Sequence, residues 1–253
     1  MNETEYAGFF AEFYDLLHAN NIDIKVYPRL LKDYGKTVLE LGAGTGRIAI
    51  PLAKAGYQVT ALEYSADMIR VLEEKEYPKE NLSIVQGDAR TYSLLQRFDA
   101  ILLTCNFINH FISSDDVLNI LKNSARHLNV NGVIIIDCSI PETSFMYDSN
   151  GKEEIFDFKT SKGTIIKDYF TARYDLLNQK ELDYIKLEEY DGTVLIRQAE
   201  ANEELTYYYP REIRGLIREA GLKIVRESGA LWDPDKDIAI SEENGEMIFY
   251  CGL

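Results

Sequence analysis

From residue 37 to about residue 141, short apolar runs alternate with longer stretches whose apolar positions recur every three or four residues. Short continuous apolar runs read as strands covered on both faces, and the 3.6-residue recurrence reads as helix. The pattern predicts strands at 37–41, 58–62, 82–86, 98–104 and 133–138, and helices at 46–55, 66–75 and 114–128. Helix 114–128 opens with Ser113 or Ser114 as cap, carries Asp115 and Asp116 in its first turn, and has a stripe of Leu118, Leu121, Ala125 and Leu128. Pro51 falls early in 46–55, where a missing N–H is tolerated. Two helices precede this core. One covers 5–20, with Phe9, Phe13, Leu16 and Leu17 on one face; the other covers 22–35 and stops at Gly35. Strands alternating with helices imply right-handed crossovers and a parallel sheet, an α/β fold.

The pattern breaks at about residue 141. Strand-like runs follow at 154–158, 164–174, 181–190, 194–198 and 203–209, separated by Lys162-Gly163, Asn178 and Asp191-Gly192. Asp-Gly between strands is a hairpin signal. An antiparallel β meander is therefore expected as an insert. A helix from Pro210 to Ala220 resumes the core, stopped by Gly221, and strands at 222–227 and 246–251 form an antiparallel pair at the sheet edge. The expected organisation is one α/β domain from 1–141 and 210–253, with 142–209 as a β insert serving as a substrate lid.

Composition removes several classes of function. The 253 residues carry a formal charge of −15 and no Lys/Arg cluster, which argues against a nucleic-acid partner, whose phosphates require cations. Cys105, Cys138 and Cys251 have no C-x-x-C spacing and read as reduced, buried thiols. The three histidines are scattered, so no metal is expected; His127 reads as exposed near a helix end. The first residues lack a signal-peptide pattern, and no apolar run is long enough to span a membrane, so a cytoplasmic protein with no membrane partner is expected. Monomer and homodimer both stay open.

The candidate chemistry lies where the first strand ends. Residues 38–46 read Val-Leu-Glu-Leu-Gly-Ala-Gly-Thr-Gly, a strand running into a glycine turn ahead of a helix. Glycine tolerates positive φ and lets a ligand approach the backbone. A dinucleotide fingerprint would need a third small residue at position 47, which is Arg47, and no Gly-Lys-Ser/Thr follows for a P-loop. A second strand ends at Glu63, 17 residues after the last glycine, where a carboxylate can accept from two ribose hydroxyls. A third ends at Gly87-Asp88-Ala89, and a fourth turns polar at Thr104 and Asn106. Ligands in open α/β sheets bind beyond the carboxyl ends of strands, where all four motifs sit.

Glu40 through Gly46 resembles motif I of the class I S-adenosylmethionine (SAM)-dependent methyltransferases. The segments at Glu63–Met68 and Gly87–Ala89, Tyr14-Asp15-x-Leu17 near the start, and Tyr207–Leu222 are similar to later family segments. The resemblance implies a Rossmann-like seven-stranded, mostly parallel sheet flanked by helices. It assigns SAM binding to Tyr14, Glu40, Gly42, Ala43, Gly44, Gly46, Arg47, Glu63, Tyr64, Met68, Asp88, Ala89 and Thr104, with Glu63 on the ribose, Met68 on the adenine and Asp88 on the adenine amino group. A β insert after the fifth strand resembles the small-molecule N-methyltransferases of the glycine/sarcosine and amino-sugar types. Cys105-Asn106-Phe107-Ile108-Asn109-His110-Phe111 is similar to their G-N-S-F-x-H-L, departing at Cys105 and Ile108. The expected reaction is methyl transfer to a small-molecule acceptor, an amine nitrogen, with His110 and Tyr14 as the catalytic candidates and His110 as base. The alternatives are a small-molecule O-methyltransferase or a SAM-binding protein without catalysis. Tyrosines at 147, 169, 174, 184, 190 and 207–209 offer an aromatic wall for a cationic or ring acceptor, although strand propensity also accounts for them.

Overall fold

A computed structural model describes residues 6–18, 25–236, 238–241, 243 and 245–253. Strands β1 (Thr37–Leu41), β2 (Gln58–Glu63), β3 (Leu82–Gln86), β4 (Phe98–Leu103) and β5 (Leu128–Ser139) are mutually parallel. With β10 (Lys223–Ser228) and β11 (Glu246–Gly252) they form a seven-stranded sheet in the order β10-β11-β5-β4-β1-β2-β3. Strand β11 runs antiparallel between β5 and β10. The chain leaves β1 in one direction toward β2 and β3, then returns to place β4 on the other side of β1. That reversal opens a crevice beyond the carboxyl ends of β1 and β4.

Both faces of the sheet are covered, which explains the near-continuous apolar strands. Leu39 and Leu41 point into a layer shared with α5 (Ser114–His127) and α7 (Pro210–Glu219), where Ile120, Leu121, Ile213 and Ile217 are buried. Val38 points the other way, into a layer with α2 (Tyr27–Leu30) and α3 (Ala49–Lys54), among Tyr27, Leu30, Leu52 and Ala53. The alternation is the strand period of two.

Several elements are shorter than their sequence pattern. Helix α1 is described as Gly8–Leu17; residues 5 and 19–20 of the expected helix lie outside the described residues. The expected helix 22–35 is a single turn, Tyr27–Leu30, with 22–24 outside the described residues. Gly35 is not its C-cap. A Cβ there would lie 2.2 Å from Asp99 Oδ2, and that carboxylate accepts from the Thr37 hydroxyl (2.7 Å) and amide (3.1 Å) while its other oxygen accepts from Asn129 (2.8 Å). Gly35 makes room for the clasp that aligns the starts of β1, β4 and β5. Helix α3 starts at Ala49 rather than 46, because residues 44–48 are spent in the turn. Pro51 consequently sits in the first turn of α3, where no helical N–H is lost.

Between β5 and α7 the chain builds a second sheet, order β6-β7-β8-β9, antiparallel throughout. Its strands are Glu153–Lys159, Ile165–Asp175, Lys180–Asp191 and Val194–Thr206. The two expected strands 194–198 and 203–209 are one. Ala199–Asn202 pair in register with Leu187–Tyr184, so the ladder overrides the weak strand propensity of Ala and Asn. A short helix α6 (Thr143–Ser149) leads into this sheet; only Met146 on it is buried, so no apolar stripe announced it. One face of the second sheet buries Ile166, Leu187 and Ala201 against Phe10 of α1. Among the described residues no helix is long and apolar enough to cross a membrane.

Replacing Gly35 with Ala should push Asp99 off Thr37 and destabilise the fold by about 1–3 kcal/mol, the cost of overpacking a tight site. Denaturant titration checks this; an unchanged midpoint would show that Asp99 turns aside freely.

Candidate active site

The site begins with the turn after β1. Gly42, Gly44 and Gly46 all have positive φ (+71°, +56° and +78°), as a reversal this tight requires. The amides of Gly42 and Ala43 donate to the Leu62 carbonyl of β2 at 2.9 and 3.0 Å. A Cβ on Gly42 would stand 2.4 Å from the Phe107 ring, whereas one on Gly44 would meet nothing within 4 Å. Gly42 serves internal packing; Gly44 leaves its side of the turn open to a ligand.

Glu63, at the end of β2, holds the turn in place. Its carboxylate is 7% exposed. Oε2 accepts from the Gly44 amide at 2.7 Å, and Oε1 accepts from the amides of Tyr64 (2.9 Å) and Ser65 (2.8 Å). Asp88, after β3, is bound to Arg90. The guanidinium donates to both carboxylate oxygens (2.6 Å from Nη2, 3.0 and 3.1 Å from Nε), which holds Asp88 below the usual carboxylate range. The reading edge there is an Asp–Arg pair rather than a lone carboxylate.

Glu40, inside β1, is 2% exposed. Burial pushes its carboxyl up to about 8, against the opposing pull of the Arg47 charge. Its Oε2 has no hydrogen-bond partner. A buried, unpartnered carboxyl oxygen beside a glycine turn fits a ligand that carries a cation.

Helix α1 closes the site from above. Asp15 accepts from the Thr45 hydroxyl in the glycine turn at 2.6 Å and pairs with Lys75. Gly8 donates its amide to Asp67 (2.7 Å), and Ser65 bonds the Tyr6 carbonyl. Tyr14, carried on this helix, is pushed up to about 12 by burial, so it stays a neutral phenol able to donate but unsuited to act as a base. His110 ends the 3₁₀ turn Phe107–His110 that follows β4. Its Nδ1 is 2.9 Å from Glu203 Oε1 on β9, and its Nε2 is 3.5 Å from the Tyr6 hydroxyl.

These elements line one cavity, partly open to solvent. Of the residues singled out from sequence, Tyr14, Glu40, Gly42, Ala43, Gly44, Arg47, Glu63, Tyr64, Met68, Asp88, Ala89, Thr104 and His110 line it. Gly46 does not. It sits behind the turn, where a Cβ would fall 2.8 Å from Leu72, so its small size serves the packing of α4 (Ala66–Glu73). His127 is not exposed: it is 8% accessible, with Nδ1 donating to the Asn123 carbonyl (2.9 Å) and Nε2 accepting from the Leu94 amide (3.1 Å). The aromatic wall is mostly elsewhere. Tyr169, Tyr184 and Tyr190 alternate with the residues packed on α1 and lie on the far face of the second sheet, and Tyr208 is spent on the Phe111 carbonyl at 3.0 Å. Arg90, Cys105, Phe107 and Phe111 also stand on the cavity wall; the sequence placed the last three in the segment similar to G-N-S-F-x-H-L but gave none of the four a site role.

The residues present fit SAM. Bound there, SAM would find lone pairs for its ribose hydroxyls on Glu63, an apolar slot at Met68 and Phe111, a buried partner for its ammonium in Glu40 and a cation for its carboxylate in Arg47. Removing the Glu63 side chain (Glu63→Ala) should strand three amides; stability should fall on the order of 3 kcal/mol and SAM affinity by about 1–3 kcal/mol. Denaturant and calorimetric titrations check this, and a silent change would take Glu63 out of the cradle. Glu40 supplies a pH test. Folded, it keeps its proton up to about 8; unfolded, it loses it near 4.5, so its contribution to stability falls as pH rises between those values. A cation placed beside it favours the carboxylate, so SAM binding at pH 7 should release close to one proton. Calorimetry in two buffers of different ionisation heat measures that release, and none would place the ammonium away from Glu40.

Residues 38–132 match the family model described as a methyltransferase domain. The chain is 27% identical over 196 residues to a cypemycin N-terminal methyltransferase from Streptomyces sp, covering 78% of this chain and 76% of that protein. It is 27% identical over 143 residues to a dTDP-3-amino-3,6-dideoxy-alpha-D-glucopyranose N,N-dimethyltransferase from Streptomyces fradiae, covering 53% of this chain and 55% of that one. In fold it is similar to the CcbJ methyltransferase from Streptomyces caelestis, with a TM-score of 0.79 at 21% identity over 100% of this chain and 99% of that one. With the glycine turn and the strand-end carboxylates in one cavity, these matches identify residues 38–132 as a methyltransferase domain of the SAM-dependent class.

Proposed function

We propose that this chain transfers the methyl group of SAM to an amine nitrogen of a small molecule, with His110 as general base. The observation that carries the reading is the His110–Glu203 pair at 2.9 Å, because His110 also lines the cofactor cavity. When bound, SAM supplies an electrophilic methyl on a sulfonium. An ammonium has no lone pair to offer, so a proton must leave the acceptor first. Glu203 fixes the imidazole by accepting from Nδ1–H, which leaves Nε2 to take that proton and stabilises the imidazolium that results. Tyr6 donates to the same Glu203 oxygen at 3.2 Å and packs edge-on against the imidazole, ring centroids 5.5 Å apart.

Alignment of nucleophile and methyl supplies ~7–11 kcal/mol, while a base contributes ~10²–10⁴-fold. Positioning by α1 and the second sheet therefore counts for more than any one proton acceptor. The names of the N-methyltransferases that this chain is similar to support nitrogen over oxygen as the acceptor atom. The segment 142–209 is read as the part that closes over the acceptor, since its strand β9 delivers Glu203.

The test is incubation with SAM and a panel of small amines and phenols, with products identified by mass spectrometry. Methylated amines support the reading; methylated phenols alone would favour O-transfer, and SAM binding without any product would favour a non-catalytic role. In the active pairing, His110→Ala should lower turnover ~10²–10⁴-fold while SAM affinity stays within about twofold. Full activity in that variant would remove His110 as base.

A further inference from the structure

Beyond the cofactor cavity lies a second, open cleft between α1, α2 and the carboxyl end of β5. It shares two wall residues with the first, Arg47 and Cys105, so the two spaces meet where Arg47 Nη2 donates to Cys105 Sγ at 3.1 Å. The segment 105–110 runs between them: Asn106 lines the second space and His110 the first. Cys105 and Asn106 both hold positive φ (+56° and +61°), unusual for two successive side-chain-bearing residues. The Asp137 carboxylate fastens this bend by accepting from the Cys105 amide at 2.8 Å, and Asn106 Oδ1 accepts from the Ser139 amide at 2.6 Å.

The far wall carries Trp232 and Glu246. Trp232 is 49% exposed although it lines a cleft. Glu246 takes hydrogen bonds from the Trp232 indole and the Leu231 amide, yet its buried Oε2 has no partner, and burial pushes the carboxyl up to about 7. An unpartnered carboxyl oxygen in a low-dielectric wall is costly, and a cation is the ligand that relieves it. The open indole beside it offers a second attraction for the same charge.

We propose that this cleft is the acceptor subsite and that it selects an organic ammonium, with Glu246 as the charge partner and Trp232 as the face against which the cation lies. The proposal deepens the amine-methylation reading and rests on it. A neutral hydroxyl compound of the same shape leaves Oε2 without its counter-charge and binds weakly.

Trp232 is the chain's only tryptophan, so its emission reports on this wall alone. The experiment titrates the intact protein, with and without saturating S-adenosylhomocysteine, with ethanolamine, glucosamine and benzylamine, and with ethylene glycol, glucose and benzyl alcohol as neutral counterparts. Saturable change with at least one amine, and with none of the alcohols, is expected. Glu246→Gln should weaken that amine about tenfold or more, with the thermal midpoint and S-adenosylhomocysteine affinity unchanged. Equal response to an amine and its alcohol, no saturable response to any amine, or an unchanged affinity in Glu246→Gln overturns the subsite. Calorimetry with S-adenosylhomocysteine on the same samples separates the two failures: lack of that binding counts against the methyl-transfer reading, whatever Trp232 reports.

Discussion

The carboxylate of Glu63 stands at the end of β2 with almost no access to water, and three backbone amides converge on it. Two of them open the loop into α4; the third belongs to Gly44, in the turn that follows the neighbouring strand. A buried charge of this kind is tolerable only when hydrogen-bonded, and here its donors come from two separate chain segments. The result is a rigid joint between β1 and β2 at the point where the sheet offers a ligand crevice. The glycines make the turn possible, but the carboxylate decides where it sits. Because Gly42 and Ala43 also donate to the Leu62 carbonyl, the turn is fixed to β2 along its length.

Helix α1 transmits that fixed point to the rest of the molecule. One face of it packs Phe10 and its neighbours on the second sheet, and Glu12 meets Arg197 of β9 at 2.8 and 2.9 Å. Its other contacts reach the glycine turn through Asp15 and α4 through Gly8. The helix therefore spans both sheets directly over the cofactor cavity. Arg197 is consumed in this joint by Glu12 and Glu189. The same arrangement brings Glu203 of β9 to His110, two residues 93 positions apart that no local pattern connects.

Errors in the sequence reading share one origin. His127, Gly46, Gly35 and the tyrosines of the second sheet were each judged by their neighbours in sequence, and each has its role set by a residue far along the chain. His127 lies at a helix end that is ordinarily wet, yet Leu94 packs its amide against the ring. Gly46 belongs to the glycine motif by spacing, but Leu72 behind the turn fixes its size. Strand alternation put tyrosines on both faces of the second sheet, and only the position of α1 tells which face is inward.

What the sequence determined by itself was the order of strands and helices, the parallel core, the inserted meander and the strand-end carboxylates. These follow from periodicity and from residue types demanded by local backbone geometry, such as glycine at positive φ, and such constraints act over a few residues. What only the tertiary structure decided was which oxygens are spent and which are left over. The unpartnered Oε2 atoms of Glu40 and Glu246, the Arg90 clasp on Asp88 and the Glu203–His110 pair all depend on burial and on contacts between distant segments. A carboxylate in a sequence carries the same charge whether it is solvated, paired or stranded; its chemistry is fixed when the fold takes away its water and chooses its partner.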